Sequence, residues 1–562
     1  MDDTTRRVAD LLQFMGQLLE IRGEDAFKIR AYYRAADQIS RLAQPISGMS
    51  EADLLGIAGI GKHITRKIQE IIANGTFREL EEVRQGIPAT LLELLNLEGV
   101  GPKTVSKLWQ QMGIVTIEDL EKAARSHRLR ALRGFGERKE QDILKSIEMY
   151  RQKGTRMNRL EADRIVARVA SALKDAPFDT AGSYRRGVST VGDIDITTTA
   201  TAAVINPRLR AIADEIIDEG EKRTSFRCQG QRVDIRFTKP AEYGTMLLYL
   251  TGSKEFNIHL REIALSRGMK LNEYGIEERR GGVLQTFETE EAVFAFLGMT
   301  PVPPELRENR GEIERAFIHN LPPLIERADI QGDLHVHSDW SDGQMSLEEL
   351  ARRGEQAGYR YLLCSDHSAT LGVAHGLSAE RVKGQGKEIE RINRTSSCTI
   401  LTGIEVDIMA DGNLGLPNTV LGDLDLVIAS IHSGFKQERD VLTRRLLKAM
   451  ENDHVDIIGH PTGRLLGERP PYDVDLGRVL DVAADTHTAL EINASPYRLD
   501  LDDGPVRQAR DRGIRLAIGT DAHDPAELTH MIYGVTIARR GWCGPADILN
   551  TRELRDLLGA TT

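Results

Sequence analysis

Two sets of residues in this chain are spaced for metal-assisted chemistry on phosphates. The first is Gly182-Ser183-Tyr184-Arg185-Arg186-Gly187 followed by Gly192-Asp193-Ile194-Asp195-Ile196. Alternate side chains of a strand share a face, so Asp193 and Asp195 project together and can hold divalent cations, while Gly192 lets a phosphate approach the backbone. Arg232-Val233-Asp234-Ile235-Arg236-Phe237 alternates polar and apolar like a half-buried strand, which makes Asp234 the candidate third carboxylate. Gly182, Ser183 and Arg186 supply what a triphosphate needs: a helix N-terminus with N–H donors, a hydroxyl and a guanidinium fork. An isolated Asp-x-Asp is more often a solvated edge strand, and it is these neighbours that argue against that reading here.

The second set lies in the last 230 or so residues, where ten of the 14 histidines fall between His335 and His530. From Gly332 the sequence alternates strand and helix, so an α/β domain with a largely parallel, barrel-like sheet is expected. Short apolar runs end in His335 and His337 with Asp342 in the following turn, then in His367, Glu405, His432, His460, and the pair Asp521 and His523. Strand ends on one face of a barrel converge, and imidazole with carboxylate suits zinc, manganese or iron. Any one of these histidines alone reads better as a satisfied core residue; nine candidate ligands at successive strand ends do not. His375, His454, His487 and His530 lie outside the set and read as structural or surface residues. Arg464 reads either as a phosphate-neutralising residue or as a solvated one.

The chain of 562 residues has room for roughly three to five domains that would carry these sites. Apolar spacing in Val8, Leu11, Leu12, Met15, Leu18 and Leu19 predicts helix at the start. Three similar units follow: Ile57-Ala58-Gly59-Ile60-Gly61-Lys62, Leu97-Glu98-Gly99-Val100-Gly101-Pro102-Lys103 and Leu132-Arg133-Gly134-Phe135-Gly136. The prolines of Pro301-Val302-Pro303-Pro304 and Leu321-Pro322-Pro323 mark a linker before Gln331. Cys228, Cys364, Cys398 and Cys543 are too scattered for a thiolate zinc site or a disulfide framework. No run of about 18 apolar residues occurs, and Met1-Asp2-Asp3 is acidic where a secretory leader is basic, so a cytoplasmic protein without a membrane is expected. The net charge of −11 is unusual for a protein that grips nucleic acid, although it averages over domains.

The first site, with Tyr249-Leu250-Thr251-Gly252-Ser253, Phe256-Asn257, Arg261 and Leu271-Asn272-Glu273-Tyr274, resembles the nucleotidyltransferase signature of X-family DNA polymerases such as DNA polymerase beta. The three glycine units resemble helix-hairpin-helix motifs, which hold DNA by its backbone without reading sequence. The C-terminal set resembles the PHP (polymerase and histidinol phosphatase) domain with all nine ligand positions filled. The order of parts looks like the bacterial and archaeal family X polymerase with a C-terminal nuclease.

This resemblance implies a multidomain fold: a helical lyase-like domain at 1–85 with the first hairpin, a fingers-type helical domain at 86–155 with the other two, an α+β palm at 156–243, a thumb at 244–318, a linker at 319–330 and an α/β PHP domain, a distorted β/α barrel, at 331–562. It implies gap-filling DNA synthesis in repair, with Mg2+ or Mn2+ on Asp193, Asp195 and Asp234, and removal of nucleotides from 3′ ends, extending to abasic or blocked termini, by a manganese or zinc cluster of up to three ions. Its expected grouping is His335, His337, Glu405 and Asp521; Glu405, His432 and His460; and Asp342, His367 and His523. Gly182, Ser183, Arg186 and Gly192 would bind the triphosphate. Tyr249, Gly252 and Asn257 would contact the nucleotide, and Arg261 the template.

Gly59, Gly61, Lys62, Gly99, Gly101 and Lys103 would contact DNA, with Lys28 and Tyr32 on the 5′-phosphate of a gap. Lys67 aligns with a Schiff-base lysine, and a deoxyribose-phosphate lyase and a plain phosphate-binding helix face both remain open for it. Leu250 departs from an aromatic in the sugar-sensing pair, and Val191 removes a hydroxyl from the triphosphate site. The expected partners are gapped or nicked double-stranded DNA, primer 3′ ends and deoxynucleoside triphosphates, with the protein a monomer. Two rivals stand beside this reading: a small-molecule phosphatase fused to a degenerate palm, and a non-catalytic scaffold for DNA ends.

Overall fold

A computed structural model describes the chain except residues 1–2, 41, 43–45, 58, 98, 133, 154–155, 279–281, 371–373 and 560–562. It contains two compact units, Met1–Gly154 and Thr155–Thr562. None of its helices is long and apolar enough to cross a membrane, among the described residues.

The described part of the first unit is helical. Val8, Leu12, Met15, Leu18 and Leu19 form the buried stripe of the helix Asp3–Arg22 and share a core with Tyr32, Ile68 and Leu108, as their three-and-four spacing requires. Gly59, Gly99 and Gly134 have φ of +89°, +77° and +92°, a region closed to most side chains. Gly61 and Gly101 then cap Lys62–Asn74 and Pro102–Met112 with no side-chain cap bond, which leaves first-turn N–H groups for an outside acceptor. A Cβ on Gly61, Gly99 or Gly101 would meet nothing within 4 Å, so the backbone there is open to close approach. Ala58, Glu98 and Arg133 of the three units lie outside the described residues.

In the second unit the helix Arg159–Leu173, started by a capping box between Asn158 and Glu161, packs on a five-stranded sheet. The strand order is Phe178–Thr180, Ile194–Thr198, Gln231–Phe237, Arg223–Cys228, Glu215–Glu219, and only the Ile194–Thr198 and Gln231–Phe237 pair is parallel. Ile194, Ile196, Val233 and Ile235 are fully buried on one face, which turns the intervening carboxylates to the other. The helices Tyr243–Thr251, Lys254–Ser266 and Glu290–Phe296 and a small hairpin follow.

Seven parallel strands then run in sequence order from Gly332–Val336 to Leu516–Gly519. Asp521 N–H donates to the His335 carbonyl and His337 N–H to that of Ala522, so the last strand meets the first and the barrel nearly closes. The expected linker 319–330 is packed rather than free. Ile325 and Ile330 are buried in the barrel's core, and the Ile325 N–H donates to the Cys543 carbonyl at 2.9 Å.

The five-stranded sheet, the helices that follow it and the barrel are tied together by side-chain contacts. Trp542, 1% exposed, sits in one core with Phe294 and Ile313, and the guanidiniums of Arg315 and Arg507 lie over its ring. Glu290 accepts from Arg185 at 2.9 and 2.7 Å and from Arg307 at 2.6 and 3.1 Å, which joins its helix to the loop beside the five-stranded sheet. Burial raises the Glu290 pKa, but Arg307 and Arg185 outweigh it and bring the value from 4.5 to about 2. This contribution to stability is therefore present above the ordinary carboxylate pKa and is lost as pH falls toward 2, and it is on the order of 3 kcal/mol. Glu290→Gln, which leaves two buried guanidiniums on a neutral amide, should cost about 3–5 kcal/mol at neutral pH in urea unfolding. The variant should also lose less further stability than wild type on acidification from about pH 5 to about pH 2.5.

Candidate active sites

Asp195 and Asp234 are direct partners in the parallel strand pair, and Asp193 lies in the bend that leads into the first of those strands. The loop before them is fastened to the same strand, since Ala181 N–H donates to the Asp195 carbonyl at 2.7 Å. Gly182 opens the single-turn helix Gly182–Arg185 with φ +61°, and a Cβ there would run into the Asp195 carboxylate. Burial, then the charges of Asp193 and Asp234, push the Asp195 carboxyl up to about 7. A buried carboxylate whose ionisation is opposed by the charges of two neighbouring acids is what a divalent cation relieves, so the donor set fits a metal.

Asp234 is held by Ser225 Oγ and by Arg232, whose Nε and Nη2 donate at 2.7 and 3.2 Å. Burial raises its pKa, and these hydrogen bonds with Arg232 and Ser225 bring it below the ordinary value. Neither supporting residue was anticipated, although Arg232, two residues before Asp234 on the same strand face, was readable as a neighbour.

Arg186 donates from Nη1 to the Thr251 carbonyl at 2.6 Å and from Nε to Glu308 at 3.0 Å. Gly252 makes room for it, since a Cβ there would meet Nη1 at 3.2 Å. Ser183 is in the turn beside Arg186, and Gly192 lies by Arg156. Tyr249, Asn257 and Arg261 line one shallow cleft with Thr245, Leu248, Leu271 and Asn272. Asn257 Nδ2 donates to the Tyr249 carbonyl at 2.7 Å and Arg261 Nε to that of Asn257 at 3.1 Å.

At the barrel's mouth all nine expected residues come together, with Glu405 3.7 and 3.8 Å from His335 and His337 Nε2 and 3.1 and 2.9 Å from His432 and His460 Nε2. Close donor sets are His337, Asp342, His367 and His523; His335, His337 and Asp521; and His367, Glu405 and His432, with the atoms of each set within 4.8 Å of one another. His337 and His367 bridge these sets because each ring faces more than one carboxylate: His337 turns Nε2 to Asp521 at 3.1 Å and Glu405 at 3.8 Å and Nδ1 to Asp342 at 3.9 Å, and His367 turns Nδ1 to Glu405 at 2.8 Å and Nε2 to Asp342 at 3.7 Å. His460 is outside these sets, yet its Nε2 lies 2.9 Å from Glu405. Glu405 is inside a strand rather than after its end, because Thr399–Asp407 runs on to pair with Leu426–Ser430.

His337 Nδ1, His367 Nδ1 and Glu405 Oε2 are buried with no hydrogen-bond partner, among the described residues. The 2.8 Å approach of His367 to Glu405 is thus not a hydrogen bond, and its two atoms are aimed as ligands of one ion would be. Burial, then the neighbouring His523 and His367, push His337 down to about 4, which keeps it a neutral imidazole with a free lone pair at neutral pH. Orphaned buried donors of nitrogen and carboxylate type fit a divalent transition metal.

Carboxylates behind the cluster aim the rings. Glu491 meets His335 Nδ1 at 2.7 Å and Asp407 meets His432 Nδ1 at 2.7 Å, which turns both Nε2 atoms inward. The Asp521 carbonyl lies 2.8 Å from His523 Nδ1, and Asn493 donates to the Asp521 side chain at 3.1 Å. These supports were missed because Ala489-Leu490-Glu491-Ile492-Asn493 reads as an ordinary apolar strand. Arg464 is neither solvated nor facing the cluster: it is buried against Asp502, at 2.8 Å, and Ser189.

In the first unit Lys28, Tyr32, His63 and Lys67 converge on Glu79, at 3.0, 3.1, 3.6 and 3.5 Å, and Lys67 also pairs with Glu70 at 3.8 Å. Lys67 is thus paired with two carboxylates and shares one of them, Glu79, with Lys28 and His63. Lys62 opens its helix, and the exposed Lys103 reaches Glu20 at 3.8 Å.

The two centres define a nucleotidyltransferase joined to a metal-site barrel. Four family models match: "Helix-hairpin-helix domain" at residues 3–77, "SAM-like Helix-hairpin-helix tandem" at 91–148, "DNA polymerase beta thumb" at 246–308 and "PHP domain" at 333–495. The chain is 38% identical over 558 residues to DNA polymerase/3′-5′ exonuclease PolX of Bacillus subtilis (strain 168), covering 97% of both proteins. It is 26% identical over 336 residues to DNA polymerase lambda of Rattus norvegicus, 54% of this chain and 56% of that protein. It is 32% identical over 231 residues to a probable phosphatase of Thermoanaerobacter sp. (strain X514), 39% of this chain and 89% of that protein. The chain belongs to the family X DNA polymerases, in the branch that carries a C-terminal PHP domain.

Glu491→Gln keeps the shape of the group behind His335 and His460 while removing its charge. It should lower transition-metal content about 10- to 100-fold, read by elemental analysis after dialysis, and leave the palm untouched.

Proposed function

We propose that the protein fills short gaps in DNA during repair and removes nucleotides from 3′ ends with its PHP domain. The observation that carries the reading is a complete carboxylate trio and a complete nine-residue imidazole and carboxylate cluster within one compact unit. The substrates are gapped or nicked duplex DNA, primer 3′ ends and deoxynucleoside triphosphates, and the chain works as a cytoplasmic monomer.

In the palm, Asp193, Asp195 and Asp234 would hold two magnesium or manganese ions, with Asp234 beside the primer 3′-hydroxyl. Gly182, Ser183, Arg186 and Gly192 cradle the triphosphate. Tyr249 and Gly252 meet the sugar, Asn257 the minor-groove side of the nucleotide and Arg261 the template. At the barrel His335, His337, Asp342, His367, Glu405, His432, His460, Asp521 and His523 hold up to three manganese or zinc ions. Bound divalent ions supply Lewis acidity at both centres. The same cluster acts on abasic and 3′-blocked termini. Gly59, Gly61, Lys62, Gly99, Gly101 and Lys103 grip the DNA backbone. The domain limits are those of the sequence, with 319–330 packed on the barrel.

For Lys67 the contacts favour phosphate binding over lyase chemistry. Glu79 occupies the place among Lys28, Tyr32, His63 and Lys67 that a gap's 5′-phosphate would take, and the Lys67 amine is ion-paired rather than free. Borohydride trapping on a 5′-deoxyribose-phosphate substrate should give no adduct dependent on Lys67, and an adduct lost in Lys67→Ala would restore the lyase.

Primer extension on gapped DNA should vanish in Asp193→Ala while 3′ degradation persists, and His335→Ala should do the reverse. Each loss should exceed the roughly 10- to 100-fold that removing a supporting group of a metal site costs. Hydrolysis of a small phosphate ester with no action on DNA would favour the phosphatase reading.

A further inference from the structure

We propose that Arg540, on the barrel helix Met531–Arg540, is a positioning residue for triphosphate binding in the palm. The inference rests on the reading of Arg186 as a triphosphate ligand. Arg540 is 4% exposed, and its Nη1 donates both to the Arg186 carbonyl at 2.7 Å and to Glu308 at 2.9 Å. The same Glu308 oxygen accepts from Arg186 Nε at 3.0 Å, so one carboxylate is divided between a palm guanidinium and a barrel guanidinium. Arg540 is itself fixed by Asp503, which accepts from Nη2 at 3.0 Å. Burial disfavours the charge on Glu308, and Arg540 and Arg186 outweigh it, holding the carboxyl below its ordinary range.

The neighbouring loop residues are held from the same side. A Cβ on Gly187 would collide with Thr536, which lies on the Arg540 helix, so only glycine lets the two segments meet. Tyr184 and Tyr533 donate to the two oxygens of Asp163 at 2.7 and 2.5 Å, and Ser189 donates to Asp502 at 2.8 Å. The stretch 184–189 therefore takes its position from the barrel as well as from the palm sheet.

Arg186 has Nε and Nη1 engaged by protein, and Nη2 makes no hydrogen bond among the described residues, which leaves that edge for an outside oxygen. Removing the Arg540 charge has two consequences with the same sign. The Arg186 backbone loses a charged donor, and Glu308, no longer shared, competes in full with the triphosphate for the Arg186 guanidinium. Nucleotide affinity should fall while the carboxylate trio stays in place.

The test is single-nucleotide gap filling by the full chain, with KM for the deoxynucleoside triphosphate and kcat measured separately and 3′ degradation measured on the same preparations. Arg540→Gln should raise the nucleotide KM about tenfold with kcat within about threefold and degradation unchanged. A purely structural role would lower kcat and degradation together and leave that split absent. Arg540→Lys, which keeps a charge but cannot reach all three acceptors, should give a smaller rise of about threefold.

Arg186→Gln is the control for the underlying reading. If it leaves the nucleotide KM unchanged, Arg186 is not a triphosphate ligand and the proposal falls with that reading. If it raises KM while Arg540→Gln does not, the reading stands and the proposal is overturned. Should Arg540→Gln lose degradation as well, Arg540→Lys decides: a raised KM with intact degradation supports positioning, and an unchanged KM refutes it.

Discussion

The parallel register that sets Asp195 opposite Asp234 is the constraint on which the polymerase centre depends. It forces two carboxylates together on the open face of a sheet whose other face is sealed by Ile194, Ile196, Val233 and Ile235, and Asp193 adds a third charge. A one-residue slip would bury the acids and expose the isoleucines, so the apolar core fixes the catalytic geometry. The repulsion among the acids is retained rather than relieved by the fold: Arg232 and Ser225 satisfy Asp234, while Asp195 is left with a raised pKa. Stability and function are thus balanced residue by residue within one strand pair.

The barrel solves the same electrostatic problem by a different route. Its imidazoles surround the buried carboxylates Glu405 and Asp521, and Glu491 and Asp407 hold His335 and His432 from behind. The strand order of the barrel brings ligands from residues 335 to 523 to one mouth with no long loop needed to carry them.

Much of this was legible in the sequence because the ligands stand at element ends, where periodicity breaks. Asp195 and Asp234 follow from period-two alternation, whereas Asp193, expected on the same strand, lies in the bend before it, and the nine barrel residues follow from polar groups closing apolar runs. Glu405 was placed one step wrong, since its strand extends to Asp407 through pairing that only the fold reveals. The sharing of His337 and His367 between sets depends on ring orientation, which spacing does not encode. Arg464 looked free because its partners, Ser189 and Asp502, are remote in the chain. Arg540 and Glu308, 232 residues apart, carry no local signal at all. What escaped the sequence was mainly long-range pairing of charges, in which neither partner is unusual alone.

Trp542 also bears on how the chain can be divided. Its indole completes the thumb's interior although it is contributed by the last fifth of the polypeptide. Truncating the protein after the thumb would leave a hole the size of a large aromatic, and the excised C-terminal piece would carry the same ring into water. A gene fragment cut at the family boundary is for this reason a poor surrogate for either half, because the two halves share one interior.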